Sequence, residues 1–415
     1  MPARTHPAGG ERWSFRLGAL AIGLLVAFLL GELAARAMEY ARGLGSAGRE
    51  WEGNIYEFCA DRHHRLVPNG AHRHVSREYD YVWRNNSLGM RDRERTAAKP
   101  PGDFRILVLG DSMVQGHGVK LEDAMTMRLE ARLNQGHSGG PIEVLNAGIF
   151  GYSPFLEKIY LRELLERTGP DVVLVGFFLG NDVGEDAFYA GKARVSADGS
   201  TVAFKDEEWP WSIIEAALDG VPDAATGSGG GGNGGGGEDA APWWDPLRRV
   251  ARRSRLLALA KTALDASRYP ARREREFELV RSHRGDIRYD VGLVNYDVLD
   301  REKRLAYWRL SLQSLDDMAA LCRGRGVPMA VVVIPPAERL LGLTRFEEPY
   351  QVLEEFGRGA GVPVIQLLPG LLARGSEALY FKYDRHWTPE GHAAAAEILF
   401  GELRRLGLAP VGPPS

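Results

Sequence analysis

The sequence predicts an α/β fold: a three-layer αβα sandwich with a five-stranded parallel sheet. The first observation is that short apolar runs alternate with helical patterns, over 103–182 and again over 303–408. The second is that DVVLVGFFLG is apolar at nearly every position after its Asp171, which is typical of a strand covered on both faces. The third is the hydrophobic fraction of 44%, enough for a sizeable core. Strands that alternate with helices favour a parallel sheet with helices on both faces.

The elements of the first half follow from local patterns. RILVLG predicts the first strand and IEVLNAG the second. Between them, apolar residues four apart predict a helix: Leu121, Met125, Leu129 and Leu133. Ser153 followed by Pro154 predicts the start of a second helix, and Gly169 marks its end. DVVLVGFFLG is the third strand.

The second half repeats the same alternation. A helix is predicted around Arg304–Cys322, followed by the strand PMAVVVIPP and a short helix near Tyr350. VPVIQLL predicts the fifth strand, and Thr388 begins the final helix, with proline at its first position. These elements bring the predicted strand count to five.

Charge and cysteine content bear on the class of protein and on its disulfide bonds. A formal charge of −3 without a basic excess does not fit a nucleic-acid-binding protein, which needs clustered positive charge. The two cysteines, Cys59 and Cys322, could pair outside the cytoplasm. For Cys322, which lies in a predicted helix, a small buried hydrophobe is the favoured interpretation.

The N-terminus predicts export. Arg12 and Arg16 precede an uninterrupted run of apolar residues and glycines, Leu17–Leu30, and Glu32 then intervenes. We expect residues 1–16 in the cytoplasm and a transmembrane signal anchor over 17–38, because basic residues remain inside. A cleaved signal peptide with the ARA site at 35–37 is the competing interpretation, and a buried soluble helix is the least favoured one. Either of the first two places the catalytic part on the periplasmic or cell-surface side.

Two further segments flank or interrupt the predicted sheet. Residues 39–102 are polar, Arg-rich and aromatic without a sustained period, and predict an irregular extension packed on the core. Residues 183–302 predict an insertion with a disordered Gly-rich linker at 224–242. The basic segment after this linker is interpreted as a cap over the sheet, with a helix resting on an anionic membrane as the alternative.

The extension contains four histidines of unassigned role: His63, His64, His72 and His74. His72 and His74 could face the same side of a strand and share a metal ion. The cluster has no cysteine and no clear carboxylate partner, so we predict no metal site.

Reactive residue types follow the predicted strands at their carboxyl ends, where open parallel sheets gather their ligands. The first strand ends in Gly-Asp-Ser112 and the third in Gly-Asn181. Gly151 comes shortly after the second strand, and Asp384 and His386 precede the last helix. A serine, a histidine and an aspartate on one rim are the inventory of serine acyl chemistry.

Each residue type has a predicted role. Ser112 is the nucleophile, His386 takes and returns its proton, and Asp384 holds the imidazole tautomer. The amides of Ser112 and Gly151 and the side-chain NH₂ of Asn181 would form the oxyanion hole. This chemistry requires no cofactor and no metal.

Four neighbouring groups are expected outside the proton transfers. Asp111 is expected to shape the serine turn. A structural role is predicted for the other three: His117, His392 and Asp182.

These residues carry a resemblance to the SGNH, or GDSL-type, hydrolase family. GDSM resembles its first block, NAGIFG its second with Gly151, GND its third with Asn181, and DRHWTPEGH its fifth with His386. The resemblance implies the family's flavodoxin-like αβα sandwich and its serine chemistry. The spacing Asp-x-His departs from the usual Asp-x-x-His and is similar to bacterial SGNH-like proteins that O-acetylate exported polysaccharides.

The resulting expectation is a membrane-anchored serine esterase that hydrolyses O-acyl, above all acetyl, esters of a carbohydrate or another small ester. An O-acyltransferase with the same triad is the alternative. It would need a multi-span partner to deliver the acyl donor, because this chain has one hydrophobic segment. A catalytically silent envelope protein is the third hypothesis. No nucleic acid is expected as a partner.

Overall fold

The structure is a computed structural model. The chain folds into two compact units. One unit comprises Met1–Trp51 and Ala224–Ala271, and the other comprises Glu52–Asp223 and Arg272–Ser415. Most of the predicted insertion, including the linker at 224–242, lies outside the described residues. The structure describes residues 10–41, 55–76, 78–196, 202–205, 301–342, 347–375 and 378–410.

The described residues form helices and strands, of which α1 lies in the first unit and all others lie in the second. The helices are α1 Gly10–Ala41, α2 Ser112–Gln115, α3 Met125–Asn134, α4 Pro154–Thr168, α5 Asp182–Lys192, α6 Arg301–Arg323, α7 Ala337–Leu340, α8 Glu348–Ala360, α9 Leu368–Leu372 and α10 Pro389–Arg405. The strands are β1 Tyr56–Cys59, β2 His63–Leu66, β3 Ala71–Val75, β4 Asp80–Arg84, β5 Phe104–Gly110, β6 Ile142–Gly148, β7 Val172–Phe178, β8 Arg194–Val195, β9 Val202–Ala203, β10 Met329–Ile334 and β11 Val364–Gln366.

The central sheet is parallel and five-stranded, with the order β11-β10-β7-β5-β6. The predicted fold class is therefore confirmed. Counted along the chain, the order is 2-1-3-4-5, the flavodoxin-like arrangement. The chain leaves β5 in one direction to reach β6 and then crosses to β7 on the other side. The switch point of this sheet thus lies at the end of β5, directly before Ser112.

Helices pack around this sheet in two groups. Helix α3 packs against α10, whereas α4, α5 and α6 pack against one another. Right-handed crossovers that leave β5 in opposite directions place their helices on opposite faces of a sheet. Strand β6 is buried at every position, which places the core between these helix groups.

The extension before the sheet is more regular than predicted. In place of an irregular segment, the structure has two antiparallel hairpins, β1–β2 and β3–β4. In β4 the buried residues alternate with exposed ones, and those buried are Tyr81 and Trp83. The inward face of β3 carries half-buried histidines. The alternation of apolar and polar residues that is typical of a strand was not visible in the sequence, because histidine, tyrosine and tryptophan take the inward positions.

Two further expectations concern the cysteines and the N-terminus. Cys59 and Cys322 are both buried free thiols, so they form no bridge with each other. Among the described residues, no helix has both the length and the apolar content that a bilayer crossing requires. The signal anchor at 17–38 stays a prediction.

Candidate active site

Ser112 begins α2 at the end of the central strand β5. The carboxylate of Asp111 caps this helix by accepting a hydrogen bond from the Met113 amide at 2.9 Å. Gly116 ends the helix with a φ of 82°, a left-handed conformation that suits glycine. Asp111 thus shapes the serine turn, as the sequence predicts.

Helix α2 lies on glycines from three adjacent strands. A Cβ atom added to Gly110 or Gly176 would collide with the side chain of Val114, and one added to Gly148 would collide with the Gln115 backbone. These glycines come from the ends of β5 and β6 and from within β7. The close approach of helix to sheet, and hence the position of Ser112, depends on the missing side chains.

The structure brings Ser112, His386 and Asp384 into contact. Nε2 of His386 lies 2.7 Å from Oγ of Ser112, and Nδ1 of His386 lies 2.5 Å from Oδ1 of Asp384. A carboxylate can only accept a hydrogen bond, so Nδ1 of His386 must carry the proton that it shares with Asp384. Nε2 then has no proton and accepts from the Ser112 hydroxyl. This is the geometry that a nucleophile, a base and its orienting carboxylate require.

The short Asp-x-His spacing is accommodated by a tight turn. Arg385, between the two side chains, has a φ of 70°, a left-handed conformation that costs a non-glycine residue about 1–3 kcal/mol. The Phe381 amide donates to the His386 carbonyl at 2.8 Å, and Tyr380 bridges to Trp387. These bonds hold the turn closed at the base of α10.

His117 lies against the triad, although the sequence assigned it a structural role. Its ring centroid is 4.5 Å from that of His386, and its Nε2 is 3.6 Å from Oδ2 of Asp384. Its amide donates to the Ser112 carbonyl at 3.0 Å. His117 is therefore part of the site's electrostatic environment. The sequence held no signal for this contact, because it depends on where a distant loop packs.

The charges of the triad shift one another's pKa. Burial lowers the pKa of His386, but the charge and hydrogen bond of Asp384, with a contribution from Asp111, outweigh burial and raise it above 6.5. Burial raises the pKa of Asp384, but His386 and His117 outweigh burial and hold it well below 3.8. The pair therefore favours an ionised aspartate beside an imidazole that readily accepts a proton.

The predicted oxyanion residues flank the serine on separate loops. Gly151 has a φ of 72° in a buried turn. The preceding Phe150 is held at both ends: its amide donates to Gln115 Oε1 at 3.1 Å, and its carbonyl lies 2.8 Å from Nε2 of His64. The side-chain NH₂ of Asn181 donates one of its hydrogens to Glu185 at 3.2 Å. The oxyanion roles stay predictions.

Other buried residues near the site have packing roles. His392 is buried, and its Nδ1 accepts from the Met125 amide at 3.1 Å. Asp182 accepts from the Phe178 amide at 2.9 Å. Trp387 is fully buried and packs against Tyr380.

The histidines of the extension divide into two pairs. His63 and His64 are buried side by side, with Nδ1 atoms 2.9 Å apart. His72 and His74 have ring centroids 6.4 Å apart, and His74 stacks edge-on against His117 at 4.8 Å. In the described part of the chain, one set of three side chains has its metal-ligand atoms within 4.8 Å of one another: His117, Asp384 and His386, two of which belong to the triad.

A buried acidic cluster beneath the site was not expected from the sequence. Its carboxyl groups come from the serine turn, α4 and α5: Asp111, Glu157, Asp182, Glu185 and Asp186. Burial, with repulsion from neighbouring carboxylates, raises the pKa of Glu157, Asp182 and Glu185 well above the usual values. Burial raises the pKa of Asp186 to about 6. The cluster therefore retains protons at a pH where exposed carboxyl groups are ionised.

Comparison with known proteins gives one family match. Residues 299–413 match the family described as "SGNH hydrolase-like domain, acetyltransferase AlgX". The matched range includes Asp384 and His386. It begins at residue 299 and therefore does not include Ser112. No curated protein matches the chain.

Several solved structures are similar at low identity. They include a catalytic mutant of the acetylxylan esterase Axe2 from Geobacillus stearothermophilus, at 12% identity and a TM-score of 0.38, covering 75% of this chain and 97% of that one. The esterase EstA from Pseudoalteromonas sp. is 10% identical with a TM-score of 0.36, covering 73% and 98%. A lipase/acylhydrolase from Enterococcus faecalis is 13% identical with a TM-score of 0.35, covering 75% and 100%.

Three findings agree with the resemblance found in the sequence. They are the sheet order, the contact between Ser112, His386 and Asp384, and the family match over 299–413. Residues 299–413 thus resemble an SGNH hydrolase-like domain.

Proposed function

We propose that the protein is a serine enzyme that acts on O-acyl, above all acetyl, esters. The observation that carries the proposal is the continuous contact from Ser112 Oγ through His386 to Asp384, at 2.7 and 2.5 Å. A serine hydroxyl becomes nucleophilic when a base takes its proton, and this histidine is placed to take it.

The reaction proceeds through an acyl-enzyme. Oγ of Ser112 bonds to the acyl carbon as its proton moves to Nε2 of His386, and the carbonyl electrons move onto oxygen. The amides of Ser112 and Gly151 and the NH₂ of Asn181 are the proposed donors to this oxyanion. The ester C–O bond then breaks, and the alcohol leaves with the proton from His386. Water attacks in the same manner and releases the carboxylic acid.

The proposed substrate is an O-acetylated carbohydrate. Support comes from the match to a family described as acetyltransferase AlgX and from the Asp-x-His spacing, similar to that of polysaccharide O-acetylating proteins. Hydrolysis is the leading proposal, since water is always available as an acceptor. The same family description favours a second candidate, in which a sugar hydroxyl takes the place of water. That reaction would need an acyl donor and, across a membrane, a multi-span partner.

We further propose that the enzyme is anchored to a membrane by its N-terminal segment, with its catalytic part outside the cytoplasm. Several large apolar side chains of α1 are exposed in the unit that holds it, which supports contact with an apolar surface. They include Leu17, Leu20, Ile22, Leu29, Leu30 and Leu33.

Labelling with a fluorophosphonate probe tests the proposed chemistry. We expect the wild-type protein to be labelled and the Ser112→Ala variant to give no label. Ser87→Ala is the matched control, since Ser87 is an exposed serine of the extension that bonds Glu94. A wild-type protein that folds but takes no label would support the silent-protein hypothesis and contradict the proposal.

A second assay separates hydrolase from transferase. The protein is incubated with p-nitrophenyl acetate and an oligosaccharide, and the products are measured by mass spectrometry. Free acetate as the main product is expected. Acetylated oligosaccharide as the main product would replace the hydrolase by the transferase.

A further inference from the structure

The turn between β3 and β4 reaches the triad from outside the strands that carry it. This turn is defined by Ser76, whose Oγ accepts from the amides of Glu78 and Tyr79 at 3.0 and 3.2 Å. The Ser76 amide in turn donates to the Tyr79 carbonyl at 2.8 Å. The main chain at Glu78 and Tyr79 is therefore fixed by the hairpin itself.

The hydroxyl of Tyr79 lies on the free side of the triad aspartate. It donates to Oδ2 of Asp384 at 2.8 Å, while Oδ1 of the same carboxylate pairs with His386. Burial and the charge of Asp384 raise the pKa of Tyr79 above its usual value, so the hydroxyl keeps the proton that it donates. Both carboxylate oxygens thus have a donor, and the carboxylate plane is held from two directions.

His117 completes this chain of hydrogen bonds. Its Nε2 lies 3.0 Å from the Tyr79 oxygen. The single hydroxyl proton of Tyr79 is committed to Asp384, so Nε2 of His117 carries a proton and donates to the tyrosine oxygen. Burial lowers the pKa of His117, and the ring is neutral in this arrangement.

Glu78 holds the backbone of the same aspartate. Its carboxylate accepts from the Asp384 amide at 2.8 Å and from the Tyr383 amide at 3.1 and 3.2 Å. These consecutive amides precede the left-handed Arg385, and successive N–H groups in such a turn form a concavity that binds anions. The carboxylate of Glu78 fills it from within the chain and stabilises the strained turn.

We propose that Glu78 and Tyr79 are positioning residues of the triad: Tyr79 orients the carboxylate of Asp384, and Glu78 fixes its main chain. The proposal rests on the proposed serine chemistry. It makes Glu78 and Tyr79, which lie outside the matched range 299–413, a part of the active site. Both residues act on the reaction through Asp384.

The Tyr79→Phe variant tests the proposal through a pH profile. Loss of the hydroxyl removes a donor from Asp384, which leaves more negative charge for His386 and raises the pKa of the imidazole further. We expect the acid limb of kcat/KM for p-nitrophenyl acetate to move to higher pH. We also expect kcat to fall about ten-fold with little change in KM, because the carboxylate loses one of its two constraints.

Tyr81→Phe is the matched control in the same hairpin. Its hydroxyl is buried, accepts from the Gly118 amide at 3.1 Å and bonds His74 at 3.0 Å, without a contact to Asp384. We expect its acid limb to coincide with that of wild type. Thermal unfolding of both variants checks that a lost buried hydroxyl destabilises them to a similar extent.

Glu78 is tested by a graded pair of variants. Glu78→Gln keeps one acceptor oxygen for the turn, whereas Glu78→Ala keeps none, so we expect kcat to fall further in the alanine variant with KM preserved in both.

The proposal is overturned if wild type reacts with the fluorophosphonate probe while Tyr79→Phe retains both its kcat and its acid limb. It is also overturned if Glu78→Ala has wild-type kcat. A wild-type protein that takes no probe would instead contradict the serine chemistry itself, so the two failures are distinguishable.

Discussion

At the scale of single residues, the charge state of Asp384 governs the site. Its carboxylate receives donors from His386 and Tyr79, and it raises the pKa of His386, the proposed base. Sequence reasoning could place Ser112, His386 and Asp384 at one site, because each stands at the end of a recognisable strand or the start of a recognisable helix. Tyr79 could not be found in this way, since it lies 305 positions from Asp384 and meets it through the docking of the extension.

Asp384→Asn is expected to change both the rate and the pH profile. The neutral amide can no longer hold the reactive tautomer or stabilise the imidazolium, so kcat should fall by about 10³–10⁴-fold. Because the charge of Asp384 raises the pKa of His386, its loss should move the acid limb of the residual activity to lower pH, opposite to Tyr79→Phe. The assay is kcat/KM for p-nitrophenyl acetate against pH.

A charge control accompanies this variant. Asp80→Asn removes an exposed carboxylate that pairs with Arg73 in the β3–β4 hairpin. It should leave the acid limb in place. An acid limb that does not move in Asp384→Asn would mean that another group controls the protonation of the base.

At the scale of elements, the nucleophile helix depends on three glycines. Helix α2 is four residues long and has little stability of its own, so the sheet beneath it determines where it lies. The strands that carry these glycines were predictable, since their apolar runs are local. The role of Gly176 was not, because a glycine inside a buried strand gives no sign of what approaches it. The hairpins of the extension were missed for a related reason: their inward side chains are histidine, tyrosine and tryptophan instead of aliphatic residues.

Gly148→Ala is expected to displace the serine. The added methyl group would meet the backbone of Gln115, which cannot move as a flexible side chain would. Overpacking of this kind costs about 1–3 kcal/mol of stability, and a shift of α2 separates Ser112 from His386. We expect a lower melting temperature and a loss of probe labelling measured at a temperature where the variant is folded.

Gly401→Ala is the matched control. This glycine lies in the exposed part of α10, and an added Cβ would meet nothing within 4 Å. Alanine is the better helix former, so stability should be unchanged or higher by about 1 kcal/mol, with full labelling. Wild-type labelling of Gly148→Ala would show that the close approach of α2 is dispensable.

At the scale of the whole molecule, the buried acidic cluster links stability to pH. Carboxyl groups with a raised pKa in the folded state hold protons that the unfolded chain releases. Unfolding therefore releases protons above the ordinary carboxyl pKa, and the free energy of unfolding falls as the pH rises through the raised values. For Asp186 this window extends from 3.8 to about 6, and for Glu157 it extends upward from 4.5. Asp384 acts in the opposite direction, since its lowered pKa makes stability fall only in strong acid.

Glu157→Gln is expected to weaken this dependence. Removal of one titrating carboxyl group should make the free energy of unfolding fall less between about pH 5 and about pH 8 than it does in wild type. Denaturant titrations at both pH values measure the difference.

Glu166→Gln provides the comparison on the same helix. Glu166 is exposed and pairs with Arg325 at the surface, so its variant should follow the wild-type slope. If the free energy of unfolding of Glu157→Gln falls with pH as steeply as that of wild type, Glu157 does not contribute to the pH dependence.

The hairpin turn that bonds Asp384 also affects how the protein can be shortened. A fragment that starts at Phe104 would retain every strand of the central sheet and all of the triad. It would lack the tyrosine hydroxyl behind Asp384 and the carboxylate beneath it. Such a truncated chain would also lose the buried Arg95, which pairs with Glu130, so it should be less stable as well as slow. An active fragment must therefore begin upstream of Ile55.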